Sequence, residues 1–115
     1  MKKAAMLILV SLLAACSADD KVEQVAKEGI TKNFNDPSSV QYRNVTTTAE
    51  SPQSPYRTTC GELNAKNQYG AYIGFKKFVV VTEMQNYQVK YYQGATEDDY
   101  RSFSRLDTQY CKSRK

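Results

Sequence analysis

The chain has 115 residues, with 16 Lys and Arg against 12 Asp and Glu, for a formal charge of +4. That length supports one small domain, and so mild a charge argues against nucleic-acid binding, which needs a strongly basic surface. The chain contains no histidine, which excludes Ser-His-Asp and Cys-His catalysis and removes the commonest transition-metal ligand.

The first element is a targeting segment. Lys2 and Lys3 precede an apolar run from Ala4 to Ala15 that is broken by one polar residue, Ser11. A membrane-spanning helix needs roughly 20 apolar residues, so this run has the length of a secretion-signal core and is set aside from the fold. It ends in Leu13-Ala14-Ala15-Cys16, which resembles the bacterial lipobox at all four positions. The resemblance implies cleavage before Cys16 and lipidation of its thiol. The expected organisation is a signal peptide over 1–15, a lipidated tether over 16–19 and one domain over 20–115. With Ser17 rather than Asp after the lipidated cysteine, the resemblance implies the outer membrane, with the domain facing the periplasm or the surface. Without Lys2 and Lys3 the balance is 14 basic against 12 acidic side chains, or +2.

The chain has three cysteines. With Cys16 assigned to lipid, Cys60 and Cys111 remain. In the oxidising compartment that export implies, an even remainder of two reads as one disulfide; a reactive thiol pair is the alternative.

A helix is expected from Asp20, where Asp20-Lys21-Val22-Glu23 has the form of a capping box. Val22, Val25, Ala26, Ile30 and Phe34 then recur at helical spacing. Gly29 weakens this helix by about 1 kcal/mol relative to Ala, and Asn35-Asp36-Pro37 ends it. Strands are expected over 39–48, 56–65 and 71–83, the last holding the apolar run Phe78-Val79-Val80-Val81. Gln85-Asn86 reads as a hairpin turn into an alternating strand from Tyr87. Thr96-Glu97-Asp98-Asp99 then opens a C-terminal helix, with acids that suit the helix dipole. Tyr100, Phe103, Leu106, Tyr110 and Cys111 mark its inward face. The expected fold is α+β: a helix, an antiparallel meander of three to four strands, and a C-terminal helix pinned by Cys60–Cys111, with the helices on one face of the sheet.

Few residues suggest chemistry. Cys60 beside Glu62 lacks an imidazole to activate it and reads as a half-cystine. Glu97, Asp98 and Asp99 lack the companion oxygen ligands of a calcium loop. Glu62 with Glu83 forms a weak candidate for a glycosidase carboxylate pair. Asn44-Val45-Thr46 matches a glycosylation sequon, which has little meaning in a bacterial lipoprotein. No cofactor or metal is expected.

The segment from Asn64 to Phe75 is dense in Asn, Gly and Tyr, a composition typical of recognition surfaces. Asn67, Tyr69, Tyr72, Lys76 and Lys77 are the candidate partner-binding residues. The competing reading gives Gly70 and Gly74 to a turn or bulge and packs the tyrosines on the sheet. Lys76 and Lys77 beside it either steer an acidic partner or phospholipid headgroups, or guard a strand edge against aggregation.

Asp36-Pro37-Ser38-Ser39-Val40-Gln41-Tyr42-Arg43-Asn44-Val45 and Cys60-Gly61-Glu62-Leu63-Asn64-Ala65-Lys66-Asn67-Gln68-Tyr69-Gly70-Ala71-Tyr72-Ile73-Gly74-Phe75 together resemble a family of small exported proteins and lipoproteins of proteobacteria and their phages. The resemblance covers roughly residues 30–83. It implies export and a structural role for Cys60, and supplies no activity. The expected function is therefore a membrane-tethered, non-enzymatic module that binds an envelope protein, for example as an inhibitor or a superinfection-exclusion factor. A structural or assembly lipoprotein of the outer membrane is the alternative, and a hydrolase using carboxylates alone is a third. Oligomeric state is left open.

Overall fold

Phe78, Val79, Val80 and Val81 are all buried in the computed structural model of the chain. Successive side chains of a strand point to opposite faces, so four buried positions in a row require cover on both sides of the sheet. The fold supplies it. The structure describes residues 18–111, and their order is α1 (Ala18–Thr31), β1 (Gln41–Thr48), β2 (Tyr56–Asn64), β3 (Lys76–Gln85), β4 (Gln88–Thr96) and α2 (Tyr100–Leu106). A 3₁₀ turn over Pro37–Ser39 precedes β1, and a π-helical turn over Asp107–Cys111 continues α2. The signal segment, Cys16 and Ser17 lie outside the described residues, and residues 18 and 19, expected in the tether, already belong to α1. Among the described residues, no helix is long and apolar enough to cross a membrane.

The four strands form one antiparallel meander in the order β1-β2-β3-β4. Two apolar clusters sit on opposite faces. Ala26 and Ile30 of α1 pack with Leu63, Phe78 and Val80, and Phe34, Val40, Tyr42 and Val45 close around them. Phe103, Leu106 and Cys111 pack with Cys60, Val79, Val81 and Ala95. The expectation that both helices share one face therefore fails; the sheet lies between them.

The predicted boundaries shift in instructive ways. Helix α1 begins at Ala18, so Asp20 lies inside it and not at its cap. Glu23 pairs instead with Lys27 one turn on, at 2.8 Å. Helix α2 is capped by Asp99, whose carboxylate accepts from the Ser102 amide, and not by Thr96. The β3–β4 turn falls at Asn86-Tyr87, both with positive φ, one residue later than expected. Tyr100, placed on the inward face by spacing, is 75% exposed.

The π turn explains how Cys111 reaches the core. In an α-helix, five residues rotate a side chain about 140° past alignment. Hydrogen bonds that span five residues widen the turn and bring Cys111 back beneath Leu106. There it is bonded to Cys60, with Cα atoms 6.1 Å apart. The predicted disulfide is present, and it fastens the C-terminal segment to the middle of β2.

Tyr42 shows the cost of the other face. Its ring meets Phe78 edge-on at 5.7 Å, and its phenol donates to the Lys27 carbonyl. Burial pushes this phenol well above the ordinary tyrosine range.

Candidate functional site

The strands β2 and β3 are joined by residues 65–75, the Asn/Gly/Tyr segment. Lys66 and Tyr72 form a two-residue antiparallel bridge. Between them Asn67 organises a tight turn: its amide donates to the Ala71 carbonyl, and its side-chain oxygen accepts from the amides of Tyr69 and Ala71 at 2.9 and 3.1 Å. Gly70 has φ +82° and Gly74 +115°, conformations that a side chain resists. Asn64 closes the base by accepting from the Gly74 amide at 3.1 Å.

The segment is also stitched to the turn before β1. Ser39 Oγ donates to the Asp36 carbonyl at 2.7 Å and accepts from the Lys66 amide at 3.0 Å. The Ser39 carbonyl accepts from the Tyr72 phenol at 2.6 Å. The two stretches that stood out in the sequence, Asp36–Ser39 and the segment after Cys60, are thus one structural unit. Ser39 and Asn64 hold it, and neither was among the candidate residues. Ser39 acts through a backbone carbonyl and a hydroxyl, which leave no distinctive pattern in a sequence.

The candidate residues divide accordingly. Asn67 and Tyr72 build the loop. Tyr69 is 83% exposed at its tip, and Ile73, near the base after the Lys66–Tyr72 bridge, is 63% exposed. Lys76 and Lys77 point to opposite faces of β3, so they do not act as one basic patch. Lys76 forms an ion pair with Asp98. The Lys77 side chain is exposed, and its amide donates to Glu97 Oε1 at 2.7 Å. The three acids before α2 are therefore spent on three separate tasks: Glu97 and Asp98 clip the α2 entry to β3, and Asp99 caps the helix. Among the described residues no group of three or more Cys, Asp or Glu could hold a metal ion.

Glu62 and Glu83 are also apart. Glu62 pairs in register with Lys77 on β3, six residues from Glu83. At about 3.3 Å per residue this separates them by about 20 Å, well beyond the roughly 5–9.5 Å of glycosidase carboxylate pairs. Glu62 is held by Arg43 at 2.8 Å and by Asn44 at 3.0 Å.

The loop forms one wall of a cleft of about 470 Å³. The cleft opens at the end of the sheet, between the C-terminal end of α1 and the segment entering α2. Ile30, Phe34, Ala65 and Ile73 contribute apolar groups, and Gly94 and Ala95 border it from the end of β4. Asn33, Asn35, Lys66 and Asn67 supply polar groups on the α1 and loop sides, and Thr96, Asp98 and Asp99 on the other. A second exposed feature was not foreseen. Tyr56 of β2 and Tyr92 of β4 pack ring to ring at 5.7 Å, with Tyr92 in the stretch where β4 slips register against β3. The Glu83 carboxylate beside Tyr56 pushes its phenol up.

The Tyr72 phenol is the simplest test of the loop's construction. Tyr72→Phe removes one hydrogen bond and leaves the Ser39 carbonyl unpaired by it. We expect a stability loss of about 1 kcal/mol in urea denaturation, with amide exchange rising over 65–75. Unchanged exchange there would mean that the loop does not depend on Ser39.

No family model, no curated protein and no solved structure matches the chain.

Proposed function

We propose that the chain is a membrane-tethered, non-enzymatic binding module of the bacterial envelope, anchored by lipid on Cys16 in the outer membrane and directed at another envelope protein. The observation that carries this reading is the allocation of the cysteines. Cys60 and Cys111 are bonded to each other, which suits an oxidising compartment, and the third cysteine of the chain is Cys16 in its lipobox setting. Two or three acyl chains hold such a protein firmly at a bilayer. Binding rather than chemistry is favoured by the lack of histidine, by the separation of Glu62 from Glu83 and by the exposure of Tyr69 at the loop tip and of Ile73 near its base.

Metabolic labelling with a palmitate analogue, followed by membrane fractionation, tests the tether. The wild-type chain takes up label and sediments with the outer membrane. Cys16→Ser takes up none and keeps its signal segment. A photoreactive residue in place of Tyr69, used in the same membranes, gives a protein adduct. An unlabelled wild-type chain removes the anchor from the proposal, and a labelled chain without an adduct removes the loop tip.

A further inference from the structure

We propose that the end of the sheet that carries the β3–β4 turn rests on the bilayer, with the Tyr87 ring among the lipid headgroups and the 65–75 loop turned away from the membrane. This goes beyond the binding-module reading and rests on its lipid anchor.

Three observations lead there. The first is the length of the tether. Helix α1 starts at Ala18, two residues after Cys16, and two residues span at most about 7 Å. A lipid on Cys16 therefore draws the start of α1 to the membrane surface. The second is the direction of α1. Ile30, near its C-terminal end, packs on Leu63 and Phe78, at the end of the sheet that leads into the 65–75 loop. The same side of the sheet stays buried toward the β3–β4 turn, at Thr59 and Thr82, and Val22 is buried about two helical turns before Ile30. Helix α1 thus runs back over these threonines toward the turn. From Ile30 to Ala18 is about 18 Å of helix, and from Phe78 to Gln85 is about 23 Å of strand. The start of α1 and the β3–β4 turn therefore reach similar heights at the same end of the domain.

The third observation is Tyr87 itself. Asn86 and Tyr87 have φ of 51° and 66°. A hairpin turn with two such positions favours Asn-Gly, and a bulky side chain at the second is strained. The Tyr87 side chain is fully exposed, so no packing among the described residues offsets that strain. What it offers is an aromatic body with a polar tip, the form enriched where membrane meets water. Its neighbours Gln85, Asn86 and Gln88 carry no charge, so the turn enters the headgroup layer without desolvating an ion. The tether puts the bilayer, and not a distant partner, next to this tyrosine.

The chain contains no tryptophan, so Tyr87→Trp and Tyr69→Trp each carry a single fluorescent reporter, both at exposed positions. Each full chain is purified as the cell makes it, its acylation is read by intact mass, and it is placed in protein-free vesicles of phosphatidylethanolamine and phosphatidylglycerol. We expect the Tyr87→Trp emission to shift to the blue. Lipids brominated in the upper part of their acyl chains should quench it severalfold more strongly than that of Tyr69→Trp, which keeps its emission in water. Tyr87→Gly, which relieves the turn, keeps or raises the midpoint of urea denaturation. An acylated chain whose Tyr87→Trp emission is unshifted, or no more quenched than that of Tyr69→Trp, overturns the orientation and leaves the anchor standing. A shift seen only in native membranes makes Tyr87 a protein contact and overturns the proposal too, as does a Tyr87→Gly midpoint that falls. A chain without acyl mass overturns the anchor, and the orientation with it.

Discussion

Replacing Cys60 and Cys111 together by alanine is expected to lower stability by about 4 kcal/mol. The bond closes a loop of sequence separation 51, and constraining a loop of that length in the unfolded chain is worth about that much in the chain-entropy model. Small domains have roughly 5–15 kcal/mol in total, so the loss is a large share. The effect should also be local. Helix α2 has seven residues and buries two side chains, Phe103 and Leu106. Its other attachments are the Asp99 cap and the exposed ties from Glu97 and Asp98 to β3. Exposed ion pairs of this kind contribute about 1 kcal/mol or less. Without the disulfide, the segment from Tyr100 to Cys111 should open before the sheet does. Urea denaturation gives the global loss, and amide exchange gives the order. A loss below about 1 kcal/mol, or exchange that rises evenly over sheet and helix, would show that α2 is held by its packing alone. Alanine is the right replacement because both sulfurs sit in an apolar cluster, where a serine hydroxyl adds a desolvation cost.

The sequence carries more of this arrangement than the single-face expectation uses. Phe78-Val79-Val80-Val81 reads as a buried strand, and a strand buried at consecutive positions needs cover on both faces. Two helices and one sheet then leave one solution, a helix on each side. The single-face expectation ignored that constraint. The disulfide followed from counting cysteines. The helix starts were misplaced for a local reason: Asp-x-x-Glu and Thr-x-x-Asp satisfy a cap pattern, but the same acids serve as well inside a first turn or in ties to a neighbouring strand. Glu23 pairs with Lys27 along its own helix, and Glu97 and Asp98 tie to β3. The 65–75 loop is legible as composition and not as geometry. Nothing in the spacing of Tyr69 and Tyr72 says that one faces solvent and the other bonds to Ser39, because the deciding group is a backbone carbonyl 33 residues away. The cleft is less legible still. Its lining comes from the C-terminal end of α1 and the residues after it, the 65–75 loop, the start of β3, the end of β4 and the segment entering α2, which only the folded sheet brings together.

Gly29 is the position where local and tertiary demands conflict most openly. Gly29 lies in the last turn of α1, and within a helix Gly→Ala ordinarily gains up to about 1 kcal/mol. Here a Cβ would lie 2.0 Å from Tyr91 Cδ2 and 2.5 Å from Cε2. The ring of Tyr91 lies directly on the helix backbone. Its hydroxyl occupies the space that a side chain at Gly94 would take, 2.4 Å from a Cβ built there. Burial on this face also pushes the Tyr91 phenol up. Gly29→Ala must therefore expel the ring toward solvent or lift α1 from β4, and overpacking of this kind costs about 1–3 kcal/mol. We expect Gly29→Ala to destabilise despite the gain in helix propensity. In a Tyr91→Ala background the obstacle is gone, and the same substitution should stabilise by about 1 kcal/mol. The reversal of sign is the decisive reading, because it separates ring contact from any generic effect of the substitution. Urea denaturation of the four proteins measures it. If Gly29→Ala stabilises with Tyr91 in place, α1 does not dock on β4 through this pair, and the helix-weakening glycine has another cause. If the sign reverses, Gly29 is the residue that lets α1 approach the sheet closely enough to cover Phe78 and Val80. That approach sets Ile30 and Phe34 beside the loop, and so the cleft depends on it.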